Sequence, residues 1–170
     1  GHRMAVAAER MLDDVRLRLT RLFGGTDHHR MVFAMNCTDA LNMAIKGVLR
    51  FDARDEARPH VVTTVLEHNS VSRPLQAMAD AGAIELTRVA CDEDGFIDPD
   101  DVRKAMTPAT ALVVMTHASN VLGTIQDAAA VGRIVRDHGA LFLLDAAQTA
   151  GIVPISIEEM RVDLLAFPGH

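Results

Sequence analysis

The sequence has 170 residues, of which 49% are hydrophobic, so we expect one domain with a single sizeable core. The formal net charge of −6, with arginines spread along predicted helices, argues against a nucleic-acid-binding protein. The sequence contains neither a membrane-length apolar run nor the layout of a signal peptide at its start, and it therefore predicts a soluble, cytoplasmic protein.

The predicted elements begin with an amphipathic helix that ends at Gly24 and Gly25. Its apolar residues follow helical spacing and would form one face: Ala8, Met11, Leu12, Val15, Leu19 and Leu22. A fourth predicted helix has a strong start signal, because Asp98 is a favoured cap and Pro99 suits the first helical position. The helices after the first are predicted at residues 41–48, 71–81, 98–106 and 128–138.

Short apolar runs alternate with these helices. The predicted strands are residues 31–35, 61–66, 84–89, 111–115 and 140–144, with a last apolar segment at 162–167. Alternation of this kind predicts an α/β fold, with a doubly wound, mainly parallel sheet, helices on both faces and right-handed crossovers.

Polar residues follow several of the predicted strands directly. Asp145 ends the strand at 140–144, and polar segments at 36–39, 67–70 and 116–120 follow three others. Ligands of open α/β sheets bind outside the carboxyl ends of the strands, so these groups predict a site at that edge. For Asp145 alone, a helix N-cap is an equally good interpretation.

Thr38 lies where a helix is predicted to open directly after a strand. Free N–H groups and the helix dipole favour an anion there, so the backbone of Cys37 and Thr38 with the Thr38 hydroxyl is the predicted phosphate site. The same position should lower the pKa of the Cys37 thiol, although we expect this cysteine to be a spectator rather than a nucleophile. With only Cys37 and Cys91, the sequence predicts neither a disulfide framework nor a cysteine zinc site. We also expect no metal site at His28 and His29, because adjacent loop residues point apart.

Five ordered motifs resemble those of the class V aminotransferase and cysteine desulfurase family, which are pyridoxal-phosphate enzymes of fold type I. The motifs are TDALN at 38–42, EHN at 67–69, SNVLGT at 119–124, DAAQ at 145–148 and FPGH at 167–170. The resemblance covers essentially the whole chain. It implies pyridoxal 5'-phosphate as cofactor and an amino acid as substrate.

The resemblance also implies a role for individual residues. Asp145 would pair with the protonated pyridine nitrogen of the cofactor, and His68 would stack on the pyridine ring. Gln148 would donate to the phenolic oxygen, and Asn120 would contact that oxygen or the substrate carboxylate. The residues expected to bind the cofactor are Cys37, Thr38, His68, Asn120, Asp145, Gln148 and His170, and the catalytic ones are His68 and Asp145.

In this family the residue after the motif at 167–170 is the lysine that forms the Schiff base with the cofactor. Lys46 and Lys104 lie in predicted helices and are not expected to replace it. We therefore interpret residues 1–170 as a large-domain fragment that lacks the C-terminal small domain and is inactive by itself. Pro168 stands where many relatives carry a hydroxyl residue that helps to hold the phosphate.

The leading functional hypothesis is sulfur removal from L-cysteine. Transamination, epimerisation and β-elimination are the less favoured alternatives within the family. The resemblance implies a homodimer and, for a desulfurase, a sulfur-acceptor protein as partner. The alternative from another class is a non-catalytic α/β fragment or pseudoenzyme that keeps only a phosphate-binding pocket or a dimer surface.

Overall fold

The computed structural model of the protein describes residues 2–49 and 58–169. Helices and strands alternate after the first two helices, as the sequence predicts. The helices are α1 (His2–Leu22), α2 (Cys37–Val48), α3 (Asn69–Asp80), α4 (Pro99–Ala105) and α5 (Ala128–His138), with a 3-10 turn at His28–Arg30. The strands are β1 (His60–Thr64), β2 (Glu85–Val89), β3 (Thr110–Thr116), β4 (Leu141–Asp145) and β5 (Leu164–Ala166). None of the described helices has the length and apolar character needed to cross a membrane.

The five strands form one sheet in the order β2-β1-β3-β4-β5, and every described pair is parallel. Helices cover both faces because successive side chains of a strand point in opposite directions. On β3, Leu112 and Val114 pack with α2 and α3, whereas Val113 and Met115 pack with α4 and α5. The predicted doubly wound α/β fold is thereby confirmed.

The sheet has a topological switch point between β1 and β3. Helix α3 follows β1 on one face of the sheet, and α5 follows β3 on the opposite face. The connections therefore diverge at this point and leave a crevice at the carboxyl ends of the two strands, which is where open α/β sheets bind ligands. Asp145 ends β4, the strand beside β3, at the same edge of the sheet.

One predicted strand is wrong. Residues 31–35 are not in a strand, and β5 is the described edge of the sheet on the β4 side. Val32 and Met35 are exposed, and Arg16 of α1 donates from Nε to the Met31 carbonyl oxygen at 3.2 Å. An apolar run of this length satisfies the strand pattern, but only pairing with a neighbour makes it a strand.

The first helix is confirmed, but its apolar face is largely uncovered within the described chain. Met11, Leu12, Val15 and Leu22 are all exposed. Helical periodicity predicts that a face is apolar, and it does not say which surface buries that face.

Candidate functional site

Asp145 is the buried carboxyl group at the edge of the sheet, with 2% of its surface exposed. Its Oδ1 accepts a hydrogen bond from the Ala147 backbone N–H at 2.9 Å and lies 3.9 Å from the Cys37 sulfur. Within the described residues no hydrogen bond reaches Oδ2, and this oxygen is not among the buried polar atoms that lack a partner. The protein therefore holds one oxygen of the carboxylate, and the other has no hydrogen bond from the described residues.

Burial raises the pKa of the Asp145 carboxyl above its ordinary value. The Ala147 N–H, the nearby His68 imidazole and the Cys37 thiol act in the opposite direction, because each favours the ionised form. A cation bound at Oδ2 would favour that form further.

The interpretation of Asp145 as a helix N-cap is correct only in part. The carboxylate does accept a backbone N–H two residues later, which is the contact that a cap makes. However, residues 147–152 form turns rather than a helix. One oxygen of Asp145 thus stabilises a turn, and the other remains available.

The predicted phosphate site lies at the start of α2, close to Asp145. Asn36, rather than Thr38, is the cap residue: its side-chain oxygen accepts from the Asp39 N–H at 2.9 Å. Helix α2 begins at Cys37, so the N–H groups of Cys37 and Thr38 belong to its first turn and have no acceptor in the preceding turn of helix. Thr38 is exposed, and the two residues offer an anion the donors that the sequence predicted.

The predicted acidity of the Cys37 thiol is wrong in direction. Burial and the neighbouring Asp145 carboxylate raise the pKa of Cys37 to about 12. A thiolate would be poorly solvated and would lie beside another negative charge, and these two effects outweigh the helix end. The expectation that Cys37 is a spectator agrees with this.

His68 is the cap of α3 and is exposed at the edge of the sheet. Its Nδ1 accepts from the Ser70 N–H at 3.2 Å and lies 2.8 Å from the Ser70 hydroxyl oxygen. This assignment places the proton of the neutral ring on Nε2 and fixes the imidazole. The nearby His68 imidazole acts to lower the pKa of the Asp145 carboxyl.

The other predicted residues lie in turns or outside the described part of the chain. Asn120 is exposed in the turn after β3, and Gln148 is exposed in the turn after Asp145. No hydrogen bond joins either side chain to Asp145 within residues 2–49 and 58–169. The prediction for His170 concerns a residue that the structure does not describe.

Two buried groups near Asp145 were not singled out from the sequence. Glu67 follows β1, and its buried carboxyl accepts from the Thr64 hydroxyl and the Thr116 backbone N–H. His117 follows β3, with Nδ1 2.9 Å from the Thr149 hydroxyl oxygen, and burial lowers its pKa. The signal was their position directly after strands, but the sequence does not distinguish a buried group there from an exposed one.

His28 and His29 do not point apart as expected. Their ring centroids lie 4.1 Å apart, and the candidate ligand atoms of Asp27, His28 and His29 lie within 4.8 Å of one another. Asp27 caps this turn by accepting from the His29 N–H at 3.0 Å. The group is largely exposed and remote in sequence from the strand ends described above.

A family model described as Aminotransferase class-V matches residues 1–170, the whole chain. The chain belongs to the class V aminotransferase family. This confirms the resemblance that the five motifs carry.

Curated members of the family that resemble the chain are cysteine desulfurases. Cysteine desulfurase IscS of Mannheimia succiniciproducens is 35% identical over 170 residues, which make up 100% of this chain and 41% of that protein. The probable mitochondrial cysteine desulfurase of Dictyostelium discoideum is 32% identical over 160 residues, which are 94% of this chain and 35% of that protein. The chain thus spans less than half the length of these relatives.

Solved structures of similar proteins have the same fold. The apo structure of a cysteine desulfurase from Thermococcus onnurineus NA1 matches with a TM-score of 0.86 and 30% identity, over 96% of this chain and 40% of that one. SspA in complex with cysteine matches with a TM-score of 0.93 and 27% identity, over 100% of this chain and 48% of that one. The sheet described here is therefore the one that class V aminotransferases share with these cysteine desulfurases.

Proposed function

We propose that this chain forms the cofactor-binding large domain of a pyridoxal-phosphate enzyme that removes sulfur from L-cysteine. The observation that carries the proposal is the buried Asp145 carboxyl beside the first turn of α2, whose Oδ2 has no hydrogen bond from the described residues. A buried carboxylate with one open oxygen suits a protonated ring nitrogen, and a free helix end suits a phosphate. These are the two ends of pyridoxal phosphate, and the residues present fit the group.

Each residue at this edge has a distinct task in the proposal. Asp145 would accept a hydrogen bond from the pyridinium N–H at Oδ2, while the Ala147 N–H holds Oδ1. Cys37 and Thr38 donate their backbone N–H groups to the phosphate, together with the Thr38 hydroxyl. When bound, pyridoxal phosphate supplies an electron sink for the substrate, and the Asp145 charge keeps its ring nitrogen protonated.

His68, Gln148 and Asn120 complete the proposed site. The Ser70 N–H fixes the His68 ring, which stacks on the pyridine face and holds a proton on Nε2. Gln148 would donate to the phenolic oxygen from the turn after β4, and Asn120 would contact that oxygen or the substrate carboxylate from the turn after β3. His170, which follows Gly169, completes the set of cofactor-binding residues.

Cysteine desulfuration is preferred to other amino-acid chemistry because the similar proteins are named cysteine desulfurases. Transamination, epimerisation and β-elimination would use the same cofactor contacts. The small amino-acid substrate, the homodimer, the sulfur-acceptor protein and the cytoplasmic location belong to the proposal as well, as does a small domain beyond the large one. In the non-catalytic alternative, the chain is a fragment or pseudoenzyme that keeps only the phosphate-binding pocket or a dimer surface and turns over no substrate.

The test uses the product of the complete reading frame that contains this sequence, called the complete protein below. We expect it to show a visible absorbance band with pyridoxal phosphate, to lose the band on borohydride reduction and to release sulfide from L-cysteine. Peptide mapping should find the reduced cofactor on a lysine directly after His170. A cofactor trapped on Lys46 or Lys104, or no band at all, would show that the proposed site is wrong.

Asp145→Asn in the complete protein tests the pyridinium contact. The variant keeps the size of the side chain but removes the charge, so we expect turnover to fall by about a hundredfold or more. Asp94→Asn, in an exposed turn, is the matched control and should leave turnover unchanged. Normal turnover of Asp145→Asn would show that Asp145 only stabilises the turn at Ala147 and does not bind the pyridinium.

A further inference from the structure

The Glu67 carboxyl joins the ends of the two strands that border the crevice. Its Oε1 accepts from the Thr64 hydroxyl of β1 at 2.7 Å and from the Thr116 backbone N–H of β3 at 3.0 Å. These contacts lie at the switch point of the sheet, where α3 and α5 leave toward opposite faces. Glu67 therefore links the carboxyl ends of β1 and β3 at the edge of the sheet where the cofactor site is proposed.

Thr116 connects Glu67 to Asp145. Thr116 and Asp145 are register partners on β3 and β4, and the next residue, His117, donates its backbone N–H to the Asp145 carbonyl oxygen at 2.8 Å. A shift of Thr116 would thus be transmitted to the backbone of Asp145.

The second oxygen of Glu67 is buried and has no hydrogen-bond partner among the described residues. A buried carboxylate with an unpaired oxygen costs more free energy than a neutral acid with an unpaired hydroxyl, because a charge is harder to desolvate. Burial and, to a smaller degree, the Asp145 charge raise the pKa of Glu67 to about 8, against the hydrogen bonds from Thr64 and Thr116.

Burial raises the pKa of the Asp145 carboxyl as well, and its neighbours act against that rise. Asp145 has the Ala147 N–H, the Cys37 thiol and the nearby His68 imidazole, each of which favours its ionised form. The Cys37 thiol itself is held in its neutral form by burial and by Asp145. His117 is buried against Thr149 and is neutral as well.

We propose that Glu67 is a positioning residue that stays protonated, fixes Asp145 through Thr116 and leaves the crevice with one negative charge, on Asp145, for the cofactor cation. This inference rests on the proposed function only where it concerns the cofactor. The arrangement matches one anion to one pyridinium and avoids two adjacent carboxylates in a buried site.

The proton on Glu67 is tested in the apo form of the complete protein by NMR of the Thr116 backbone N–H, which donates to this carboxyl. We expect its chemical shift to titrate with a midpoint near pH 8 in the unmodified protein, following the Glu67 ionisation. Glu67→Gln should abolish the transition. Glu93→Gln, in an exposed turn, should keep it. A transition that persists in Glu67→Gln, or one near pH 4.5, would overturn the assignment of the proton.

The proton on Glu67 should also make the free energy of unfolding depend on pH. Folded Glu67 holds its proton between pH 4.5 and about 8, where the unfolded chain has lost it, so folding takes up a proton in this window. Stability therefore falls as pH rises through the window, by up to about tenfold per pH unit in the unfolding constant, and the loss is complete above the folded pKa. Glu67→Gln should lack this component in denaturant titrations, and Glu93→Gln should retain it.

The positioning role is tested by the rate at which pyridoxal phosphate leaves the holo form of the complete protein. Glu67→Ala removes the contacts to Thr64 and Thr116, and we expect release to be about tenfold faster. Glu67→Gln keeps an acceptor and a neutral group, so it should restore retention to within about twofold. Equal retention in Glu67→Ala would overturn the positioning role. If the unmodified protein retains no cofactor, the proposed function fails, whereas the NMR titration still decides the state of Glu67.

Discussion

Cys37 lies between a helix end and a buried carboxylate, and its own burial together with that carboxylate sets the pKa of the thiol. The first turn of α2 favours a thiolate by its dipole, an effect worth about 1 kcal/mol at an exposed helix end. Burial and Asp145 together raise the pKa of Cys37 to about 12, a larger change in the opposite direction. Cys37 is thus a small neutral group that packs beside Asp145, with its thiol directed at the carboxylate.

We predict that Cys37 reacts slowly with thiol reagents in the apo protein. At pH 8 only about one thiol in ten thousand is ionised when the pKa is about 12, and the thiolate is the nucleophile. Alkylation by iodoacetamide followed by peptide mass spectrometry should modify Cys91 at least about tenfold faster than Cys37.

Asp145→Asn provides the decisive comparison for this prediction. Removing the neighbouring charge should increase the rate at Cys37 and leave the rate at Cys91 unchanged, because the Asp145 carboxylate lies 3.9 Å from the Cys37 sulfur and raises the pKa of that thiol. Asp94→Asn should change neither rate. Fast alkylation of Cys37 in the unmodified protein would mean that the helix end outweighs the buried carboxylate.

The ends of helix α5 are set by residues next to them in the sequence, whereas its middle is fitted to a turn that lies further along the chain. Asp127 caps it by accepting from the Ala130 N–H at 2.8 Å, and Gly139 ends it with a φ of 88°, a conformation that glycine adopts without strain. Gly132, in its middle, has a different role: a Cβ at this position would collide with the carbonyl oxygen of Met160. The backbone of α5 therefore lies directly against the turn that precedes β5.

We predict opposite effects of alanine at two helical glycines. Gly132→Ala should lower the free energy of unfolding by about 2 kcal/mol or more, because the backbone at Met160 must move away. Gly47→Ala in α2 is the matched control: nothing lies near its Cβ position, and the better helix propensity should add about 0.5–1 kcal/mol. Denaturant unfolding of the two variants measures both values. A stabilising Gly132→Ala would show that α5 and the turn do not meet as described.

The whole molecule buries two large clusters, one on each face of the sheet, and leaves an apolar face of α1 outside both. A third, smaller cluster forms where the end of α1 meets the last strand, with the rings of Phe23 and Phe167 4.6 Å apart. The α1 face, formed by Met4, Met11, Leu12 and Val15, remains exposed. Contiguous apolar surface of this kind favours association.

We predict that the 170-residue chain, expressed alone, self-associates through this α1 face. Light scattering across a dilution series should show particles larger than a monomer, despite the net charge of −6. Met11→Glu combined with Val15→Glu, two exposed positions one turn apart, should reduce the association constant by at least about tenfold. Met43→Glu, exposed on α2, is the control and should have little effect. A single monomeric species at all concentrations would show that the exposed face does not drive association.

The sequence by itself determined the fold class, the family and the order of the helices and strands, apart from the strand predicted at residues 31–35. Alternating apolar runs and helical spacing give the strands and helices because these patterns are local, and α5 was predicted with the bounds that the structure has. The position of Asp145 at the end of a strand also follows from local pattern, since parallel strands release their carboxyl ends at one edge. The five motifs add the family because they occur in a fixed order along the chain.

Only the tertiary structure decided how these parts act on one another. It left residues 31–35 out of the sheet, since a strand needs a neighbour to pair with. It raised the pKa of Cys37 and buried Glu67 against Thr64 and Thr116, because burial and charge depend on residues far apart in the sequence. A pattern within about ten residues indicates which faces are apolar and where the charged residues lie. The pKa of a side chain depends instead on its burial and on the nearest charges, and three-dimensional packing sets both.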